Sequence, residues 1–369
     1  MEIMKIIPIS EPLFHGNEIK YLTGCINSGW ISSAGKYVRK FEEDFAAYIG
    51  CEHGVALHTG TAALHLSLAV LDIGKGDEVI VPDLTFAATA NAVLYMGAKP
   101  VLVDVEKDTW NIDPGLIEEK ISSMTKAIIP VHLYGHPCNM DRVLEIAQKH
   151  NLAVIEDAAE AHGAEYKGKR VGCMSTIGCF SFYGNKIITT GEGGMCICHD
   201  ARIAKRLAKL RDHGMREDKK YWHDEVGFNY RMTNLQAAVG VAQLERIEWF
   251  LNRKRRNAHI YSEYLSDVEE IVLPIEKDWA KNVFWMYTII LRENSIRISR
   301  DALISALAEK GIETRPVFYP LHQMPPYRES GSYPNAEYIS AMGLNLPSGV
   351  TLEEEDIEYI CKAIKRCLH

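Results

Sequence analysis

Two residues stand where an open α/β sheet does its chemistry. Asp157 closes the apolar run LAVIED (152–157), and Lys186 follows GCFSFYGN (178–185). Each sits at the carboxyl end of a strand-like segment, where such sheets hold their ligands. A lysine amine condenses with a carbonyl to a Schiff base, and a buried carboxylate keeps a pyridine nitrogen protonated so that the ring acts as an electron sink. A third feature, HTGTAALHLSLAVL (58–71), sets Gly60 and Thr61 at the first turn of a helix, whose free N–H groups suit a phosphate. Singly these read as a solvated loop lysine, a helix-capping aspartate and an ordinary helix start. Together they ask for a phosphorylated, ring-bearing aldehyde. Rival chemistries lack their residues. There is no GxxxxGK[ST], and GKGDEV (74–79) lacks the third glycine of GxGxxG, which argues against P-loop and Rossmann sites. Cys196, Cys198 and His199 share GGMCICHD (193–200), but its alternation is that of a strand with both cysteines on one face, and no CxxC or HxxxH accompanies it. No metal is expected. His58, His162 and His322 are polar loop histidines, and none is taken as an essential base.

The elements that position these residues follow from periodicity. VIVP (79–82), PVLVDV (100–105), AIIPVHLYG (127–135) and LAVIED are short, β-branched and bounded by polar or turn residues, as buried strands are. Between them TFAATANAVLYMG (85–97), DPGLIEEKI (113–121) and MDRVLEIAQKHN (140–151) have helical spacing. Strand, helix, strand at this interval predicts an α/β fold with a mostly parallel sheet wrapped by helices. GCFSFYG and GGMCICHD add two strands around the polar link TTGEGG. From Thr233 a long helical stretch runs to Leu265, then FWMYTIIL (strand), SRDALISALAEKGI (helix), ETRPVFYP (strand) and a closing helix TLEEEDIEYICKAIKRCLH, with Thr351 and Glu354 at capping-box spacing. A chain of 369 residues exceeds one core, and the expected division is a large domain, 1–250, and a smaller α+β domain, 251–369. The net charge of −8 leaves no basic footprint for nucleic acid or an anionic membrane. No run reaches the ~18 apolar residues of a membrane span. An odd nine cysteines, and a start, MEIMKIIPIS, without leader features, make the cytoplasm the expected location.

The cofactor that needs a lysine, a ring-nitrogen carboxylate and a phosphate cradle is pyridoxal 5′-phosphate. WISSAGKYVRKFE, GTAALHLSL, GDEVIVPDLTF, KAIIPVHLYGHPCNMD, VIEDAAEAHGA, FSFYGNKIITTGEGGM, GFNYRMTNLQAAVG, ETRPVFYPLH and LNLPS follow one another in the order of a known family. Over essentially its whole length the chain resembles the DegT-type sugar aminotransferases, which have the fold-type-I architecture of pyridoxal-phosphate enzymes. Within that family, EDAAEA, GNKIITTGEGGM, YWHDEVGFNYRMTN and RPVFYPLHQMPPY are most similar to the branch that forms GDP-perosamine. The resemblance implies that Lys186 carries the Schiff base and moves the proton, that Asp157 pairs with the pyridinium nitrogen, and that Phe86 stacks on the ring. Gly60, Thr61 and Ser181 would bind the phosphate, Glu160 would lie near the phenolic oxygen, and Asn229 would reach the cofactor phosphate of a neighbouring subunit in a homodimer with shared sites. Ser33, Arg231, Tyr319 and His322 would meet the sugar nucleotide. Two positions depart from the family pattern: Asp83 stands where serine is usual, and Thr59 where asparagine or serine is usual. The implied reaction moves an amine from L-glutamate to C4 of a nucleotide-linked 4-keto-6-deoxy sugar, with GDP-4-keto-6-deoxymannose first and a UDP- or dTDP-linked 4-keto-6-deoxyglucose second. A sugar 3-dehydratase would carry histidine at the position of Lys186, and a non-catalytic regulatory relative would have no need of Lys186, Asp157 and the phosphate loop together.

Overall fold

The computed structural model describes residues 5–293 and 298–368. Helices α1 (Glu18–Ser28) and α2 (Lys36–Ile49) lead into β1 (His53–Leu57) and α3 (Gly60–Val70). There follow β2 (Glu78–Pro82), α4 (Ala88–Tyr95), β3 (Lys99–Val103), β4 (Thr125–Ile128), α5 (Met140–His150) and β5 (Ala153–Asp157). Two short strands, β6 (Glu165–Tyr166) and β7 (Lys169–Arg170), precede β8 (Ile177–Ser181), β9 (Gly194–Cys198) and α6 (Ala201–Arg211). Seven of these strands make one sheet in the order β1-β9-β8-β5-β4-β2-β3. The run from β3 to β8 is parallel; β9 is antiparallel to both its neighbours. Sequence pattern explains the layers. Val79, Ile80 and Val81 are all buried, as a strand covered on both faces requires. Helix α5 buries Met140, Val143, Ile146 and Ala147 on one stripe, starts under the Asn139 side chain and ends at a left-handed Asn151.

The remainder comprises α7 (Asn234–Leu244), α8 (Ile247–Leu265), β10 (Ile271–Val272), β11 (Ala280–Lys281), β12 (Tyr287–Leu291), α9 (Arg300–Ala308), β13 (Arg315–Pro316), α10 (Pro334–Met342), β14 (Gly343–Leu346) and α11 (Glu354–Leu368). Strands β10-β12-β14-β13 form an antiparallel sheet. Its core gathers Tyr261, Tyr287, Ile289, Leu303, Leu307, Leu344, Ile357, Ile360 and Ile364. The large sheet has a separate core that includes Phe41, Phe45, Phe180 and Phe182. Helix α8 serves both, through Phe250 and Leu251 on one side and Tyr261 and Leu265 on the other. Ile7 crosses over to the second core, its N–H on Gly311 O at 2.8 Å.

Several elements differ from their sequence patterns for local reasons. DPGLIEEKI forms two 3-10 turns, Pro114–Leu116 and Glu118–Lys120, because a segment this short does not sustain an α-helix without strong packing. The strand in AIIPVHLYG stops at Ile128 before Pro130, which has no N–H for the ladder. The long helix from Thr233 keeps its expected start, a Thr233–Gln236 capping box, but breaks at Arg246 into α7 and α8. ETRPVFYP is a strand only over Arg315–Pro316. Thr351 is not a cap: α11 begins at Glu354, and the Thr351 hydroxyl donates to Glu11 at 3.1 Å. Among the described residues no helix is long and apolar enough to cross a membrane.

Candidate active site

The carboxyl edge of the large sheet opens into a cavity of about 510 Å³. Asp157, the last residue of β5, lines it at only 5% exposure. Its Oδ2 accepts a hydrogen bond from Thr89 Oγ1 at 2.8 Å and its Oδ1 one from the Ala159 N–H at 3.2 Å. Burial pushes this carboxyl up, against the pull of those donors and of Lys186. Lys186 sits on the turn after β8, its N–H closing on Tyr183 O at 2.9 Å. Its Nζ lies 3.6 Å from Glu160 Oε1 and 3.8 Å from the centre of the Trp285 ring. Burial pushes the Lys186 ammonium down, and Glu160 and Asp157 oppose that shift. Glu160 is raised in turn by its own burial. Its Oε2 accepts the Tyr134 N–H at 2.8 Å, which Tyr134 presents from a left-handed backbone, φ 53°; a bulky residue holds that conformation only where its surroundings impose it. The Trp285 indole N–H donates to Asn185 O at 2.7 Å and so clamps the turn that carries Lys186.

The anion end of the cavity is built from β1 and α3. Thr59 Oγ1 accepts the Ala62 N–H at 3.1 Å and caps α3. The N–H groups of Gly60 and Thr61 belong to the first turn, where no intrahelical acceptor exists, and both residues line the cavity. A Cβ on Gly60 would stand 2.7 Å from Ser181 Cβ, so only glycine lets the helix start press against the end of β8. One cavity thus joins a helix N-terminus, a buried carboxylate and a buried amine.

The DegT/DnrJ/EryC1/StrS aminotransferase family matches residues 13–365. The chain belongs to this family. It is 46% identical over 365 residues to the GDP-perosamine synthase of Escherichia coli O157:H7 and 47% identical over 365 residues to that of Caulobacter vibrioides, covering 98% of this chain and 98% of the relative in both cases. Among solved structures it is similar to S. venezuelae DesV, with a TM-score of 0.90 at 36% identity over 95% of this chain and 94% of that one. The PLP form of a putative sugar aminotransferase, Spr1654 from Streptococcus pneumoniae, gives a TM-score of 0.93 at 29% identity over 98% of each. The α/β architecture with its mostly parallel sheet is the fold of these aminotransferases, and pyridoxal phosphate is the family's cofactor. The cavity passes the test of fit for that group: the Gly60–Ser181 contact leaves a side-chain-free cradle at a helix N-terminus, while Asp157 and Lys186 line the same space.

Lys186, Asp157, Gly60, Thr61, Phe86, Glu160 and Ser181 all line this cavity. Phe86 keeps 59% of its surface exposed and stands 5.7 Å, ring to ring, from Phe318. Ser33, Asn229, Arg231, Tyr319 and His322 lie outside the lining that one chain supplies. Asn229 is exposed, and its Oδ1 accepts from Arg231 Nη2 at 2.9 Å; Arg231 also pairs with Asp212 at 2.6 Å. His322, expected at the sugar nucleotide, is engaged by carboxylates of its own chain. Its Nδ1 lies 2.7 Å from Asp83 Oδ2, its N–H donates to Asp83 Oδ1 at 2.8 Å, and its Nε2 lies 3.2 Å from Glu337. Both departures from the family pattern therefore have local partners, Thr59 as a helix cap and Asp83 under His322. Cys196 and Cys198 are buried in β9, their Sγ atoms donating to Ala63 O and Asp200 O. Sequence reasoning missed Thr89, Tyr134, Trp285, Arg315 and Asn345. Only Thr89, one helical turn beyond Phe86, left a signal in the pattern.

Proposed function

We propose that this chain makes GDP-perosamine by moving an amine from L-glutamate to C4 of GDP-4-keto-6-deoxymannose. The observation that carries the reading is Lys186 Nζ, buried beside Glu160 and over Trp285 in the cavity that Asp157 and the α3 N-terminus share. The identity of 41–47% to GDP-perosamine synthases from three organisms supports the substrate. Pyridoxal phosphate supplies an electron sink and an aldehyde that accepts and returns the amine. The protein's own residues do the rest. Gly60, Thr61 and Ser181 hold the phosphate, and Phe86 covers one ring face. Asp157 keeps the ring nitrogen protonated, its carboxylate form favoured by the pyridinium charge against the cost of burial. Lys186 Nζ, with its proton loosened by burial, takes and gives the proton at the reacting carbon. Glu160 returns positive charge to Nζ and orients it.

Asn229 is exposed and lies outside the lining that one chain supplies. This supports a homodimer in which the partner's Asn229 completes the phosphate site, with Ser33 and Tyr319 near the sugar nucleotide and Arg231 and His322 engaged by Asp212 and Asp83. The division into a cofactor-binding domain, 1–250, and a small domain, 251–369, rests on the second core, most of which lies after residue 257. Trp285, Met286, Val317 and Val350 join the core of the large sheet, and α8 enters both. The reading places the enzyme in the cytoplasm, supplying a sugar for O-antigen-type lipopolysaccharide. The test is a side-by-side assay of GDP-, UDP- and dTDP-linked 4-keto-6-deoxy sugars with L-glutamate, scored by kcat/KM. Preference for the GDP sugar is expected; preference for a UDP or dTDP sugar overturns the substrate and leaves the aminotransferase.

A further inference from the structure

At the edge of the large sheet opposite Lys186, three segments far apart in sequence converge. Cys51 precedes β1, Cys173 lies in the loop before β8, and His199 follows β9. Strands β1 and β8 both run away from this edge and β9 runs back to it, so the five residues of β8, about 16 Å of strand, separate the cluster from the cofactor cavity. The two sulfurs and a ring nitrogen of His199 all lie within 4.8 Å of one another. His199 Nε2 is 3.2 Å from Cys173 Sγ and 3.1 Å from Cys173 O, and Cys173 Sγ donates to Gly50 O at 3.1 Å. The other ring nitrogen, Nδ1, is held by the Glu52 carboxylate. That contact occupies Nδ1, and Nε2 faces Cys173 Sγ and Cys173 O, so binding a metal through Nε2 exchanges its contact with that carbonyl for the ion.

We propose that Cys51, Cys173 and His199 form a binding site for a divalent zinc ion. Two thiolates and an imidazole are the donor set that zinc takes, at about 2.3 Å to sulfur and 2.0–2.1 Å to nitrogen. Three ligand atoms no further than 4.8 Å from one another need only small rotations to surround one ion. Glu52 on Nδ1 is the carboxylate behind a metal-binding histidine that fixes its tautomer and raises its basicity. Cys173 and His199 also line a hollow of about 900 Å³ that opens to solvent, so water fills the fourth position. On binding, each thiol gives its proton to water and its sulfur to the metal. The ion ties the turn after α2, the loop before β8 and the turn after β9 into one clip. None of these residues touches the cofactor cavity, and no CxxC or HxxxH spacing announces the site, because its ligands come from three separate segments.

The experiment uses the full-length holoenzyme, stripped with a chelator and kept under a phosphine reductant. It is equilibrated with zinc buffered at micromolar free concentration, and bound metal is counted by mass spectrometry. One ion per chain is expected. Cobalt in its place should give the thiolate charge-transfer absorption and the intense visible bands of a four-coordinate site. The paired substitution Cys51→Ser with Cys173→Ser should abolish binding with the cofactor retained, and Glu52→Gln should weaken binding by about 10–100-fold. Should the double variant fold poorly, the wild type decides alone: zinc should slow iodoacetamide alkylation of Cys173, mapped by peptide mass spectrometry, by about tenfold or more. Less than about a tenth of an equivalent bound, zinc that persists in the double variant, or an alkylation rate indifferent to zinc would each overturn the proposal.

Discussion

His322→Ala separates a structural bond from a substrate contact. In the wild type the imidazole meets an Asp83 carboxylate of zero exposure at 2.7 Å and stacks on Tyr333 with ring centres 4.6 Å apart. Losing a hydrogen bond to a charged group costs about 1.5–3 kcal/mol, and losing an aromatic stack about 0.5–1.5 kcal/mol. The loss stays below the ~3–5 kcal/mol of a fully orphaned buried charge, because the backbone N–H of residue 322 still serves Asp83 Oδ1. A total of about 2–4 kcal/mol follows from these contributions. With an unfolding entropy of about 2.1 cal/mol/K per residue, roughly 0.8 kcal/mol/K for the 369-residue chain, the melting temperature should fall by about 3–5 °C. His322→Asn should recover part of this, since its amide N–H can stand in for Nδ1. The assay pairs circular-dichroism melting of the holoenzyme with kcat/KM for the GDP sugar at 25 °C, where the variant remains folded and should keep near-normal turnover. An unchanged melting temperature together with a tenfold or greater drop in kcat/KM would refute this and give His322 to the substrate.

Lys186→Ala should lose turnover by at least ~10²–10⁴-fold, the range of one general acid–base group, and borohydride should fix pyridoxal phosphate to the wild-type peptide containing Lys186 but not to the variant's; normal turnover would remove Lys186 from the chemistry. Mixing Lys186→Ala with Asn229→Ala chains, each inactive alone, should restore about a quarter of wild-type activity, because random pairing of a symmetric dimer makes half the dimers hybrids with one intact site each; no recovery would place Asn229 outside the partner's site. Arg231→Ala frees the Asn229 Oδ1 that it now holds at 2.9 Å, so cofactor affinity should fall with the melting temperature of the apoprotein unchanged, and a loss confined to the sugar half-reaction would instead make Arg231 a substrate ligand. Burial lowers the Lys254 ammonium to about 7. The unfolded chain therefore holds more protons than the native state between that value and the ordinary lysine range, and this lysine's contribution to stability rises with pH across that window; the wild type should gain on Lys254→Met from pH 7 to 10, and parallel melting curves would contradict the shift.

What the sequence disclosed and what it hid divide along a physical line. Asp157, Lys186 and Gly60 were legible because each ends or follows a buried strand, and a strand is read from its own residues. The parallel sheet was legible for the same reason, through VIVP and LAVIED. Trp285 was not, since nothing in FWMYTIIL says that an indole will reach Asn185 and sit under a lysine about a hundred residues earlier in the chain. Arg231 and His322 show the converse. Charged and aromatic residues in polar segments look available to a ligand, but pairing with Asp212 and Asp83 is decided only in three dimensions. Thr351 failed as a cap because the spacing that suggests one recurs by chance, and its hydroxyl found Glu11 instead.

The position of Lys186 depends on two distant parts of the chain at once. From the large sheet, β5 delivers Asp157 and the turn after it delivers Glu160, which holds Nζ electrostatically. From the segment leading into β12 comes Trp285, which packs into the core of the large sheet. Its indole fixes the turn before Lys186, and its carbonyl accepts from Lys254 Nζ at 2.9 Å and from Ser348 Oγ at 3.0 Å. Lys254 lies on α8, the helix that enters both cores, and Ser348 follows β14. The Lys186 amine is therefore tied through one tryptophan to a buried lysine and a serine in the part of the chain that also contributes Arg315 and Asn345 to the cavity wall. A shift of the antiparallel sheet relative to the large one would move Trp285 and the turn bearing Lys186 together. That coupling joins the C-terminal region to the turn bearing Lys186, although the helix N-terminus and the buried carboxylate of the cavity both come from the large sheet.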